Sequence, residues 1–91
     1  MKAGTRVREL KEESAQLLFA FLKSEVRLGL TFARLAEYER DTGNVKHYEQ
    51  SKRNTIVAAE TIERFKGRLP ADAHREIETQ ALELTRIIST L

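Results

Sequence analysis

Between Leu17 and Tyr38 the apolar residues return at helical intervals and fall into two seams. At 100° per residue, Leu17, Phe21, Leu28, Phe32 and Leu35 line one side. Phe19, Leu22, Val26, Leu30 and Ala33 lie farther round, and Lys23, Arg27 and Arg34 take what is left. The apolar arc is roughly 200° wide, where a helix packed on a single neighbour needs only ~100°. The pattern predicts a central helix covered from at least two directions. Upstream, Val7 and Leu10 are the only large apolar residues, and Glu9 repels Glu13 at i,i+4 spacing, so the first turns are polar. Residues 1–4 are expected to fray, and helix 1 to run over residues 5–41, ~55 Å if unbroken. Gly29 costs such a helix about 1 kcal/mol relative to Ala, so a break near Ser24 or Gly29 is the alternative.

Asp41-Thr42-Gly43-Asn44 is the clearest punctuation. Gly43 suits the left-handed end of one helix, and the Asn44 side chain can cap the next. Helix 2 is expected over residues 45–66, with Tyr48, Ser51, Thr55, Ala58, Ala59, Ile62 and Phe65 on its inner stripe. Most of these are small and would let its backbone approach helix 1 closely. Glu49 with Arg53 and Glu60 with Arg64 have the spacing of i,i+4 ion pairs. Gly67-Arg68-Leu69-Pro70 then closes helix 2, with Gly67 expected as its left-handed C-cap and Leu69 as the accompanying apolar contact. Helix 3 is expected over residues 71–90, with Ala73, Ile77, Ala81, Leu84, Ile88 and Leu91 inward and Asp72 and Glu76 near its positive end. The fold class is all-α, a single domain of three antiparallel helices with an overlong first helix.

Helix lengths bear on assembly. Helix 2 is long enough to cover helix 1 only down to about residue 18, so residues 5–16 overhang. Leu17 to Leu22 then sit at the mouth of the bundle, partly covered by Phe65 and Leu69. An apolar patch left there marks an interface. The expectation is a homodimer built on helix 1, with Leu18, Phe19, Leu22 and Val26 as the candidate interface.

Composition narrows the picture without redirecting it. A chain of 91 residues buries only about two thirds of its unfolded surface, so self-association would help. Hydrophobic content of 41% with 33% charged residues is that of a globular protein. There is no cysteine, which excludes disulfides and thiolate metal sites and suits a reducing compartment. No secretory signal is visible and the longest apolar run ends at Lys23, so a cytoplasmic protein without a membrane span is expected. The formal net charge is only +2, which gives no bulk signal for polyanion binding.

Candidate chemistry is sparse. A di-iron bundle needs Glu three residues before His, and Asn44 and Ala71 stand at those places before His47 and His74. His74 and Glu78 could supply two metal ligands, with no third nearby in sequence. Arg40 before His47, and Arg68 before His74, resemble the Arg–His motif of small helical-bundle ribonucleases found in bacterial toxins, but both pairs straddle an expected turn. The cations Lys46, Lys52, Arg53, Arg64, Lys66 and Arg68 could form a nucleic-acid face, yet Glu49, Glu60 and Glu63 intersperse them. The four glycines are isolated, so no phosphate loop exists, and no serine has an evident histidine partner. No catalytic, cofactor-binding or metal-binding residue is assigned.

One stretch carries a family likeness. Leu28-Gly29 with Phe32, followed by Gly43-Asn44 and Tyr48, resembles a single tetratricopeptide-repeat hairpin over residues 25–66. In that family a Leu-Gly pair and a following aromatic open the first helix, and Gly-Asn or Gly-Asp begins the second. The resemblance implies a helical hairpin used in protein–protein contact. The functional expectation is a small interaction or assembly module without catalysis. A nucleic-acid-binding accessory protein is the alternative, followed by a small helical nuclease.

Overall fold

The computed structural model describes residues 3–91, with side chains from Arg8 onward. Helix α1 spans Ala3–Asp41, α2 spans Val45–Phe65, a short 3-10 turn covers Lys66–Arg68, and α3 spans Ala71–Ile88. No strand occurs among the described residues. The chain is an all-α bundle of three antiparallel helices with a long first one, as its periodicity implies. Met1, Lys2 and the Val7 side chain lie outside the described residues; Ala3 and Gly4, expected to fray, belong to α1.

Helix α1 passes through Ser24 and Gly29 without a break. Ser24 Oγ donates to the Ala20 carbonyl at 3.1 Å and Thr31 Oγ1 to that of Arg27 at 3.0 Å, so both hydroxyls are satisfied on the helix itself. Gly29 is there because the three helices meet on it. A Cβ at Gly29 would lie 2.8 Å from Leu84 Cδ2 on α3 and 3.2 Å from Ala58 Cβ on α2. Close packing here offsets the glycine's cost to the helix.

The α1–α2 turn is built as its residues predict. Gly43 has φ +78°, its N–H reaches the Arg40 carbonyl at 3.2 Å, and the Asn44 N–H reaches that of Glu39 at 2.8 Å. This is the Schellman arrangement, which satisfies two of the orphan carbonyls of α1. Asn44 Oδ1 then accepts from the His47 N–H at 3.4 Å and caps α2.

The second boundary differs from expectation. Gly67 has no positive φ; α2 tightens instead into the 3-10 turn, whose Lys66 carbonyl accepts from the Leu69 N–H at 3.1 Å. A 3-10 turn satisfies terminal groups without a left-handed residue, so glycine's freedom is not used there. Leu69 is buried nonetheless, and Pro70 precedes the first turn of α3. The pairs Glu49–Arg53 and Glu60–Arg64 do not close into ion pairs; Arg64 lies over the Phe65 ring instead, 5.7 Å from its centroid.

The core is one cluster of Leu22, Val26, Ile62, Leu69, Ile77, Ala81 and Leu84, with Phe19, Leu30 and Phe65 packed against it. Ser51, Thr55, Ala58 and Ile62 form the buried edge of α2, so its small residues do bring it close to α1. At the far end, Arg40 Nη1 donates to the Thr90 carbonyl at 2.8 Å and the Tyr48 hydroxyl donates to that of Leu91. Both fasten the end of α3 to the α1–α2 hairpin.

Candidate interaction surface

The four residues expected to meet a second copy are placed by the fold in or against the core. Leu22 and Val26 are 0% and 3% exposed, and α2 and α3 already cover them. Leu18 and Phe19 are half-buried and pack against the same cluster. The expected interface is corrected accordingly: Leu22 and Val26 have no surface left to offer. The reason lies in which seam the neighbours choose. Gly29, Ala33 and Ala36 are buried on the same side as Leu22, and their small size lets two helices settle there.

The other seam is left bare. Leu10 (53% exposed), Leu17 (72%), Phe21 (45%), Leu28 (47%), Leu35 (43%) and Tyr38 (67%) run down α1 in a single row. Their separations are seven, four, seven, seven and three residues, the 3.5-residue rhythm of a helix seam that faces another helix. Ser14, Ser24 and Thr31 fill the remaining positions of that rhythm and are also exposed. The row is about 42 Å long at 1.5 Å per residue. Beside it, Phe21, Leu28 and Phe32 of α1 and Val57 of α2 line a groove of about 380 Å³ floored by Ala58. Val57 is itself 53% exposed, which widens the apolar surface on the α2 side. Arg27 and Arg34 border the seam on its opposite side, and Glu13 stands in line with them toward the N-terminal end.

Heptad spacing in the sequence announces both seams of α1. What separates the bare one is its polar interruptions, set against the run of small residues on the covered one. That signal was available in the sequence at Ser14, Ser24 and Thr31.

Titratable groups are dispersed. His47 is exposed, and Asn44 Nδ2 donates to its Nδ1 at 3.0 Å, so it serves the turn. His74 Nε2 stands 3.5 Å from Glu78 Oε2, while Glu78 Oε1 accepts from Lys66 Nζ at 3.3 Å. The carboxylate that could have joined His74 on a metal is thus engaged by an ammonium. Lys66 Nζ donates to Glu63 Oε1 at 2.8 Å, which holds its pKa above the ordinary lysine value against partial burial, and Glu78 adds to it. Arg86 grips Glu83 with two guanidinium nitrogens and keeps that carboxyl below the usual carboxylate range. Among the described residues, no three His, Cys, Asp or Glu side chains come together as a metal site.

One acidic group in the core is announced by no local pattern. Glu39 is only 6% exposed; its Oε1 accepts from Ser51 Oγ at 2.8 Å, and its Oε2 has no hydrogen-bond partner among the described residues. The basic residues of α2 and the following turn divide their attention. Arg64 and Arg68 both lie on Phe65, Lys52 lies near Tyr48, and Lys66 sits between two glutamates. On the α1–α3 side, Lys23 and Arg27 face Glu76 and Glu83 across a second groove, so charges of opposite sign already oppose each other there. No helix among the described residues is long and apolar enough to cross a membrane. Comparison with protein families, with curated proteins and with solved structures finds no match.

Proposed function

We propose that the chain is a small cytoplasmic interaction module, without catalysis, that works by docking another helix on the bare seam of α1. The observation that carries this reading is the exposed row Leu10, Leu17, Phe21, Leu28, Leu35 and Tyr38 on the outside of a bundle whose core packs without it. Burying one such side chain is worth about 1.5–3 kcal/mol, and a row of them can outweigh the cost of holding two molecules together. The likeness of residues 25–66 to a tetratricopeptide-repeat hairpin supports the same role, since those hairpins present helix faces to other proteins. Engagement of Arg64, Arg68 and Lys66 within the chain weighs against a nucleic-acid surface. The test is the double variant Leu17→Glu/Leu28→Glu, produced in the native host. The wild-type chain should elute in a complex larger than itself, and the variant, still helical, should leave it. An unchanged elution position for the variant would refute the reading.

A further inference from the structure

The bare seam has a symmetry that identifies its occupant. We propose that a second copy of this chain docks there, its α1 running antiparallel across a twofold axis near residues 22 and 23. This rests on the interaction reading above and narrows it to one partner.

The register follows from the exposed residues. With Leu10 set against Leu35 of the second copy, Ser14 meets Thr31, Leu17 meets Leu28 and Phe21 meets Ser24, and the twofold repeats the series in reverse. Leucine faces leucine in four of the eight layers, and the hydroxyls of Ser14 and Thr31 face each other rather than an apolar side chain. In the same register the flanking Glu13 falls beside Arg34 of the second copy, and the twofold makes that pair twice. A parallel arrangement would also match each layer with itself. However, it would bring unlike edges of the seam together, setting Glu13 beside Leu18 and Arg27 beside Phe32 of the second copy and leaving both charges without an opposite partner.

The shape of the monomer favours the same direction. Residues 8–14 are exposed, because only the turn at Arg68 and Pro70 and the first residues of α3 come near that end of α1. An antiparallel mate lays this projecting end against the body of the second copy, where Leu35 and Tyr38 wait uncovered. A parallel mate would leave the two projecting ends with only each other. The row is about 42 Å long. Together with the adjoining Val57 groove it offers several hundred Å² per copy, approaching the ~800 Å² of a stable pairing.

Absence of native cysteine makes the register directly readable. Ser14→Cys and Thr31→Cys chains are prepared separately, checked for helicity, and oxidised alone and mixed. The mixture should cross-link faster than either chain alone, by on the order of tenfold or more, because only unlike positions meet. The charge reversal Glu13→Arg should weaken the dimer several-fold, and adding Arg34→Glu to the same chain should restore it. Cross-linking of either chain alone as fast as the mixture would overturn the antiparallel register. A purified chain that stays monomeric by light scattering at millimolar concentration would overturn the second copy as occupant. In that case, seam variants that still leave the native complex would preserve the broader interaction reading. Variants that do not would end both.

Discussion

The two seams of α1 are made of similar residues and meet opposite fates. Leu22 and Val26 vanish beneath α2 and α3, while Leu17, Phe21 and Leu28 on the same helix stay in water. Large apolar residues do not account for the difference, since both seams have them. What differs is the company they keep. The covered seam carries Gly29, Ala33 and Ala36, facing the small residues Ser51, Thr55 and Ala58 of α2, so backbones can approach and interdigitate. The bare seam is bulky wherever it is apolar and is broken by hydroxyls elsewhere. A helix can thus turn one seam to its own fold and leave another bare by the placement of its small residues.

Substitutions separate the two roles. Leu22→Ala should cost the most, about 3–5 kcal/mol in denaturant unfolding, because it opens a cavity in a fully covered site. A loss under about 1 kcal/mol would mean the covered seam is loosely packed. Gly29→Val should cost roughly 2–3 kcal/mol, since Leu84 is fully buried and cannot yield the space its methyl occupies. If Gly29→Val left the unfolding midpoint unchanged, the three-helix junction would not be as close as described.

Much of this was legible in the residues, though not which seam goes inside. Helix boundaries, the left-handed Gly43 and the Asn44 cap follow from local chemistry, which tertiary context rarely overrides at a Gly-Asn turn. Gly67 shows the limit of that logic: glycine permits a left-handed cap without requiring one, and a 3-10 turn met the same need. Of the interface expectation on Leu18, Phe19, Leu22 and Val26, the last two failed because a 200° apolar arc fixes how much of a helix is covered, not by whom; Leu18 and Phe19 keep part of their surface. Glu39 was invisible for a related reason. Its burial depends on Ser51 arriving from another helix, and no local pattern encodes that meeting.

Smaller effects sharpen the account at its edges. Ser51→Ala should destabilise by about 1–2 kcal/mol, because it strips the buried Glu39 carboxylate of its one hydrogen bond. Thermal unfolding of Ser51→Ala beside Glu39→Gln, which keeps an acceptor oxygen for the serine, checks this; equal stability of wild type and Ser51→Ala would show the bond contributes nothing. The smallest effect is the pH dependence from Lys66. Its pKa is raised in the folded state, so the stability it contributes is fully present below the ordinary lysine value of about 10.5. That contribution is lost as pH rises through the higher folded value. A Lys66→Met chain should therefore show a flatter stability profile above pH 10, and identical profiles would remove the Glu63–Lys66–Glu78 cluster from the account.

The proposed role of the bare seam is tested most directly by Leu28→Glu, followed in one experiment by light scattering and circular dichroism over a dilution series. The wild-type chain should have a mass of about 21 kDa, twice that of the 10.5 kDa monomer, and dissociate on dilution. Leu28→Glu should remain near 10.5 kDa throughout, with its helix content intact at the concentration where the wild type is also monomeric. Loss of helix in Leu28→Glu would make the bare seam part of the fold after all, and a variant that kept the wild-type mass would place assembly on some other surface.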